Sequence, residues 1–135
     1  MKTKIPIQLL PHQIYLLKVE SNIISYPLYK IGLTSNLKRR IKSMNNTEKK
    51  ESIVKGLGRL NQIEVIYLSP TMPMNCTYFL ESLLKKEFSK YKYTGLPILA
   101  NGNSELFTDI VIESFTAIVN KELELLLERR VIDFY

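Results

Sequence analysis

Between His12 and Val19 apolar positions alternate, with Ile14, Leu16 and Lys18 on one face and Tyr15, Leu17 and Val19 on the other. That period of two predicts a β-strand. A polar stretch containing Glu20, Ser21, Asn22, Ser25 and Pro27 separates it from a second short run, Leu28 to Leu33. Two strands so near in sequence pair antiparallel. Gly32, Thr34, Ser35 and Asn36 then mark a turn, with Ser35 the expected helix N-cap. Leu37, Ile41 and Met44 recur at helical spacing, so a basic amphipathic helix follows. The polar segment from Thr47 to Leu60 reads at most as a short second helix, capped by Thr47 and broken by Gly56 and Gly58.

Farther on, Ile63 to Leu68 is mostly apolar and predicts a buried strand, ended by Pro70 and Pro73. A helix is expected from about Asn75 to Tyr91, with Leu80, Leu83, Leu84 and Phe88 as its core stripe and Gly95 and Pro97 as its stop. Ser104 to Phe107 predicts a short strand, and a final amphipathic helix runs from Thr108 to about Arg130. The order β-β-α-(α)-β-α-β-α predicts an α+β fold. Its expected form is a small mixed, mainly antiparallel sheet of three to four strands flanked by helices. The last helix carries a wide apolar stripe (Val111, Phe115, Ile118, Val119, Leu123, Leu126, broadened by Leu125 and Leu127). Packing on its own sheet is the default reading, and the remaining width suits a homodimer seam or a protein partner.

Length changes the picture little: 135 residues make one domain, large enough to fold without disulfides or a structural metal. The lone Cys76 fits a reducing compartment. No apolar run is long enough for a signal peptide or a membrane helix, so a cytoplasmic protein with no membrane partner is expected. Charge changes it more. Lys38, Arg39, Arg40, Lys42, Lys49, Lys50, Lys55 and Arg59 face only Glu48 and Glu51, so this one segment matches the net +6 of the whole chain. From Glu105 onward seven acids meet three bases. A basic front and an acidic back suit a protein presenting one surface to a polyanion.

The common catalytic signatures are missing. There is no phosphate-binding Gly-rich loop, dinucleotide fingerprint, CxxC or HExxH, and the single His12 leaves no multi-histidine metal site. Tyrosine, arginine and carboxylate remain. Gln13-Ile14-Tyr15-Leu16-Leu17, Tyr29-Lys30-Ile31-Gly32 and Leu37-Lys38-Arg39-Arg40-Ile41 follow one another. Leu80-Glu81-Ser82-Leu83-Leu84 and Asn101-Gly102-Asn103-Ser104-Glu105-Leu106-Phe107 come later. In that order the segments resemble the GIY-YIG nuclease superfamily over about residues 12 to 108, in a phage-type branch whose second half-motif takes the Y-K-I-G form. The resemblance divides the chain into an N-terminal extension (1–11), a nuclease-like domain (12–108) and a C-terminal helix (109–135).

It implies a metal-dependent endonuclease acting on DNA, with RNA left open and a phage or mobile element as its setting. Tyr15 would act on the water, Arg40 on the phosphate, and Glu81 would hold one Mg²⁺ or Mn²⁺. Tyr29 and Lys30 would stand at the same site. Lys38, Arg39, Lys42, Lys49, Lys50, Lys55, Arg59 and Lys85 would grip nucleic acid. Helical geometry favours Arg40 over Arg39: Arg40 flanks Leu37 at about 60°, whereas Arg39 points roughly 160° away, to solvent or the nucleic-acid backbone. Tyr29 is one residue short of the usual tyrosine position, which is Lys30, so either Lys30 takes that place or a bulge re-aims Tyr29. Glu87 competes with Glu81, because its helical angle lies inside the apolar stripe. Lys85 stands where that branch often has histidine. Lys30 and Lys85 keep open a nuclease-like domain that binds nucleic acid without cutting, and the final helix keeps open a protein-interaction regulator.

Overall fold

The computed structural model describes residues 10–55, 61–95, 98 and 106–128; in 48–55 it describes the backbone alone. The chain begins with β1 (Pro11–Ser21) and β2 (Leu28–Thr34), followed by α1 (Leu37–Lys55). Next come β3 (Asn61–Leu68), β4 (Met72–Pro73) and α2 (Met74–Glu87). A single 3₁₀ turn (Ser89–Tyr91), β5 (Leu106–Phe107) and α3 (Ile112–Glu128) complete the order. The sheet runs β3-β1-β2-β5, with β4 paired to β1 off that path. All the pairings among the described residues are antiparallel, so the expected α+β class stands without the parallel component that a mixed sheet would contain.

The β1–β2 register is continuous from Gln13 opposite Thr34 to Val19 opposite Leu28. Successive side chains leave opposite faces of a strand, and two core clusters lie accordingly. Ile14, Leu16, Ile31 and Phe107 join Leu80, Leu84 and Phe88 and the α3 residues Phe115, Val119 and Leu123 in the main core. Val19, Leu28 and Leu106 join Tyr93 and Ile98 in a smaller one. Both faces of β1 are therefore covered, which is why Ile14, Tyr15, Leu16 and Leu17 are all buried. Phe115 anchors α3 by meeting Tyr67 edge-on at 5.7 Å and stacking on Phe88 at 6.3 Å.

Several boundaries differ from expectation for local reasons. The N-cap of α1 is Asn36, not Ser35: its Oδ1 accepts the Arg39 N–H at 3.1 Å, satisfying one of the helix's first orphan donors. The expected break at Thr47 does not occur, and α1 continues to Lys55 just before Gly56. Its long charged side chains carry good helix propensity, and nothing there interrupts the hydrogen-bond ladder. Strand β3 is an outer strand rather than a buried one, with Val65 and Leu68 about two-fifths exposed. A bulge opposite Leu16 and Leu17 shifts its register.

β4, not expected at all, pairs His12 with Met72 and leads through Pro73 directly into α2. No side chain caps that helix, but the Met74 N–H donates to the Leu10 carbonyl at 2.9 Å. A proline whose missing N–H costs nothing suits this position. The preceding loop is fixed by Ser69, whose buried hydroxyl oxygen accepts the Ile14 N–H at 2.9 Å. Predicted strand residues Ser104 and Glu105, and Arg129 and Arg130 of the last helix, lie outside the described residues. No described helix is long and apolar enough to cross a membrane.

Candidate active site

Three elements bring polar side chains to one shallow hollow of about 170 Å³, lined by Tyr15, Gly32, Leu33, Arg40, Tyr78 and Glu81. β1 contributes Tyr15, which is 1% exposed and lies directly across the ladder from Gly32. The missing side chain at Gly32 makes room for the ring. A Cβ there would sit 2.7 Å from Tyr15 Cε1 and would collide with Cζ and Oη as well. Arg40 reaches the hollow from the first turns of α1. On that helix Leu37, Ile41 and Met44 are half-buried, whereas Lys38, Arg39, Arg40 and Lys42 are exposed. Glu81 and Tyr78 come from α2, where buried Thr77, Leu80 and Leu84 fix the inward face and leave these two beside it.

The carboxylate of Glu81 is largely sheltered, at 16% exposure, and Lys85 one turn on places its Nζ 3.3 Å from Glu81 Oε1. Lys85 thus has the Glu81 carboxylate as a partner, although it is not among the residues that line the hollow. The described residues include no group of three or more His, Cys, Asp or Glu able to enclose a metal. One carboxylate on an open, polar hollow fits a divalent ion that retains most of its water, as Mg²⁺ tolerates. Lys85 would have to yield to it. Core packing sets Tyr15, and Glu81 stands on α2 beside the buried Leu80 and Leu84.

The other expected site residues lie elsewhere. Tyr29 is packed against the main core on the face of Ile31 and Leu33, because β2 runs without the bulge that would re-aim it. Lys30 shares a strand face with Gly32 but is 1% exposed, between Leu17 and Leu106 on the flanking strands, and is not part of the hollow's lining. Arg39 is exposed, as expected, and with Thr34, Asn36, Arg40 and Ser43 lines a second hollow that shares Arg40 with the first. Glu87 is exposed and is not among the residues that line the hollow. The side chains of Lys49, Lys50 and Lys55 lie outside the described part of α1, and Arg59 and Glu105 outside the described residues. Tyr78 was not singled out by its sequence; its signal was its spacing, one helical turn before Glu81 and so on the same face.

A family model for the T5orf172 domain matches residues 12–124. The chain belongs to that family. T5orf172 domains are related to GIY-YIG nuclease-like domains, so the superfamily resemblance holds at this level. The match extends past Thr108 into α3, beyond the segment on which the resemblance rested. No curated protein and no solved structure matches the chain. GIY-YIG-like nucleases typically depend on a metal ion and act on nucleic acid, which makes endonuclease activity a property to test in this T5orf172 domain.

Proposed function

We propose that this T5orf172 domain is a metal-dependent endonuclease that hydrolyses phosphodiester bonds in DNA. The observation that carries the reading is the meeting of Tyr15, Arg40 and Glu81, from three separate elements, around one hollow. Hydrolysis needs a deprotonated nucleophile, positive charge for the phosphoryl oxygens, and help for the leaving oxygen. In this reading Arg40 binds and orients the phosphate through charge-assisted hydrogen bonds. Tyr15 accepts the proton of the attacking water, with Arg40 on the same hollow as its neighbouring positive charge. Glu81 holds the divalent ion, which when bound adds charge stabilisation for the phosphoryl group. Tyr78, half-exposed on the rim, takes the place beside the phosphate that the sequence offered to Tyr29 or Lys30.

The test is nicking of supercoiled plasmid with Mg²⁺ or Mn²⁺. Tyr15→Phe and Glu81→Ala should each slow it by at least ~10²-fold, the lower end of general-base effects. Cutting that survives both substitutions would refute the assignment. A second reading, nucleic-acid binding without cleavage, is favoured by the Glu81–Lys85 pair, since that carboxylate already has a cation beside it. It predicts an uncut plasmid under all metal conditions but tight, salt-sensitive binding. The regulator reading through the last helix has less support, because Phe115, Val119 and Leu123 spend that face on the domain's own core.

A further inference from the structure

A cleft of about 260 Å³ opens between α2 and α3, lined by Asn75, Cys76, Phe79, Leu80, Glu122 and Leu126. Most of that lining is apolar: Leu80 is buried, and Cys76 and Leu126 are half-buried. Phe79 is 61% exposed, more than any other large apolar side chain among the described residues, and its ring meets no other ring there. Asn75 brings an amide that both donates and accepts hydrogen bonds, and Glu122 brings a carboxylate that accepts. No basic side chain lines the cleft.

The cleft and the catalytic hollow share one helix. Tyr78 and Glu81 line the hollow, whereas Phe79 and Leu80 line the cleft. At 100° per residue, Asn75, Tyr78, Phe79 and Ser82 fall on one side of α2, and all four are exposed. The two sites therefore flank this crest, about the width of one helix apart, ~10–12 Å. Tyr78, 52% exposed, and Phe79 are neighbouring rings on the way between them.

Glu122 disfavours a phosphate in the cleft, and an apolar lining with an open aromatic face favours a flat, neutral ring. The volume is below the roughly 300–1,000 Å³ of drug-sized sites, so the occupant is small. Asn75 and Glu122 suit a ring whose edge carries both donors and acceptors. For a strand held by its phosphate one helix width away, such a ring is one of its own bases. A base paired inside a duplex does not reach it; the base must first leave the stack.

We propose that this cleft receives an unpaired nucleobase of the strand held in the hollow, stacked on Phe79, so that the substrate is DNA with an unstacked nucleotide beside the cut. The inference rests on the reading of the hollow as the phosphate site and deepens it by naming the substrate class. Unstacking a paired base costs free energy that an already unpaired one does not require. Flaps, gaps and mismatches are therefore preferred to continuous duplex.

The experiment is equilibrium binding of the full chain, with metal chelated so that nothing is cleaved. The probes are a DNA duplex with one unpaired nucleotide, the same duplex with that nucleotide abasic, and the continuous duplex. Wild type should bind the unpaired form about 5- to 140-fold more tightly than the abasic one, the range for one base stacked on an aromatic ring. Phe79→Ala should bind these two alike, because losses at groups in direct contact do not add. Phe79→Tyr, which keeps the ring, should restore the difference. Phe79 is exposed, so the variants keep the fold, and circular dichroism checks this. Wild type that binds the unpaired and abasic forms equally, or a difference undiminished in Phe79→Ala, overturns the proposal. Continuous duplex bound as tightly as the unpaired form overturns the substrate class. The two readings fail separately. An uncut plasmid with a Phe79-dependent base preference refutes the nuclease alone, and a cut plasmid without that preference refutes the base cleft alone.

Discussion

Gly32→Ala tests the construction of the catalytic hollow at its narrowest contact. Gly32 lies in regular β2 and pairs with Tyr15, so its extended backbone accepts alanine, and without a clash the change should stabilise by about 0.4–1 kcal/mol. The clash decides otherwise. The new methyl carbon would lie 2.7 Å from Tyr15 Cε1, whereas ordinary contact begins at 3.4 Å, so the ring must shift by about 0.7 Å at that atom and more at Cζ and Oη. Tyr15 is 1% exposed, so its packed ring can give way only toward the hollow it lines. Overpacking of this kind costs about 1–3 kcal/mol. For a chain of this length that lowers Tm by roughly 3–12 °C.

A phenol displaced by about 1 Å from its working position can lose ~10²-fold in rate. Thermal unfolding followed by circular dichroism reads the first quantity and plasmid nicking the second. The decisive control is the double variant with Tyr15→Leu, whose shorter side chain leaves room for the methyl. There the stability cost of Gly32→Ala should disappear, a coupling expected of side chains in direct contact. A Gly32→Ala protein as stable as wild type, or a cost that persists without the ring, would refute this account of the hollow.

Lys85→Met should remove the cation beside Glu81 and lower the metal concentration for half-maximal nicking by about 1.5- to 5-fold, the range for a partly exposed ion pair; a metal titration that does not move would show the pair to be inert. Phe115→Ala removes a fully buried ring between Tyr67 and Phe88 and should cost about 3–5 kcal/mol in urea unfolding. A loss under 1 kcal/mol would mean that α3 is not part of the core. Burial pushes the Cys76 thiol and the Tyr67 and Tyr93 phenols upward from their ordinary 9.0 and 10.0. The unfolded chain therefore releases these protons first, and the stability they confer, fully present at neutral pH, falls as pH climbs above about 9. Denaturant midpoints measured from pH 7 to 11 should decline over that window, and a flat profile would contradict the sign.

Much of the framework can be read in the chain because its period is local. The alternation from Ile14 to Val19 and the turn residues after Gly32 specify the hairpin, and the Leu80-Leu84-Phe88 spacing specifies α2. Long-range placement cannot be read this way. Ile63 to Leu68 looks interior because it is apolar, yet whether a strand ends up central or outermost depends on which strand it pairs with. β4 has two residues, one a proline, and no propensity announces it. At the site, Tyr15, Arg40 and Glu81 can be named individually, but their meeting is a property of the assembled sheet and helices. The Glu81–Lys85 spacing of four is legible in the chain, whereas the place of Glu81 as the single acid lining the hollow follows from the assembled fold.

The outer position of β3 leaves the chain with a protection problem. Among the described residues no strand pairs along its far side, and Val65 and Leu68 are exposed on it while Ile63, Ile66 and Tyr67 pack on the cores. Glu64 is the single charge in that run, exposed in its middle. One negative residue thus serves as gatekeeper against stacking of molecules edge to edge, and neutralising it would favour fibrous self-association long before it weakened the fold.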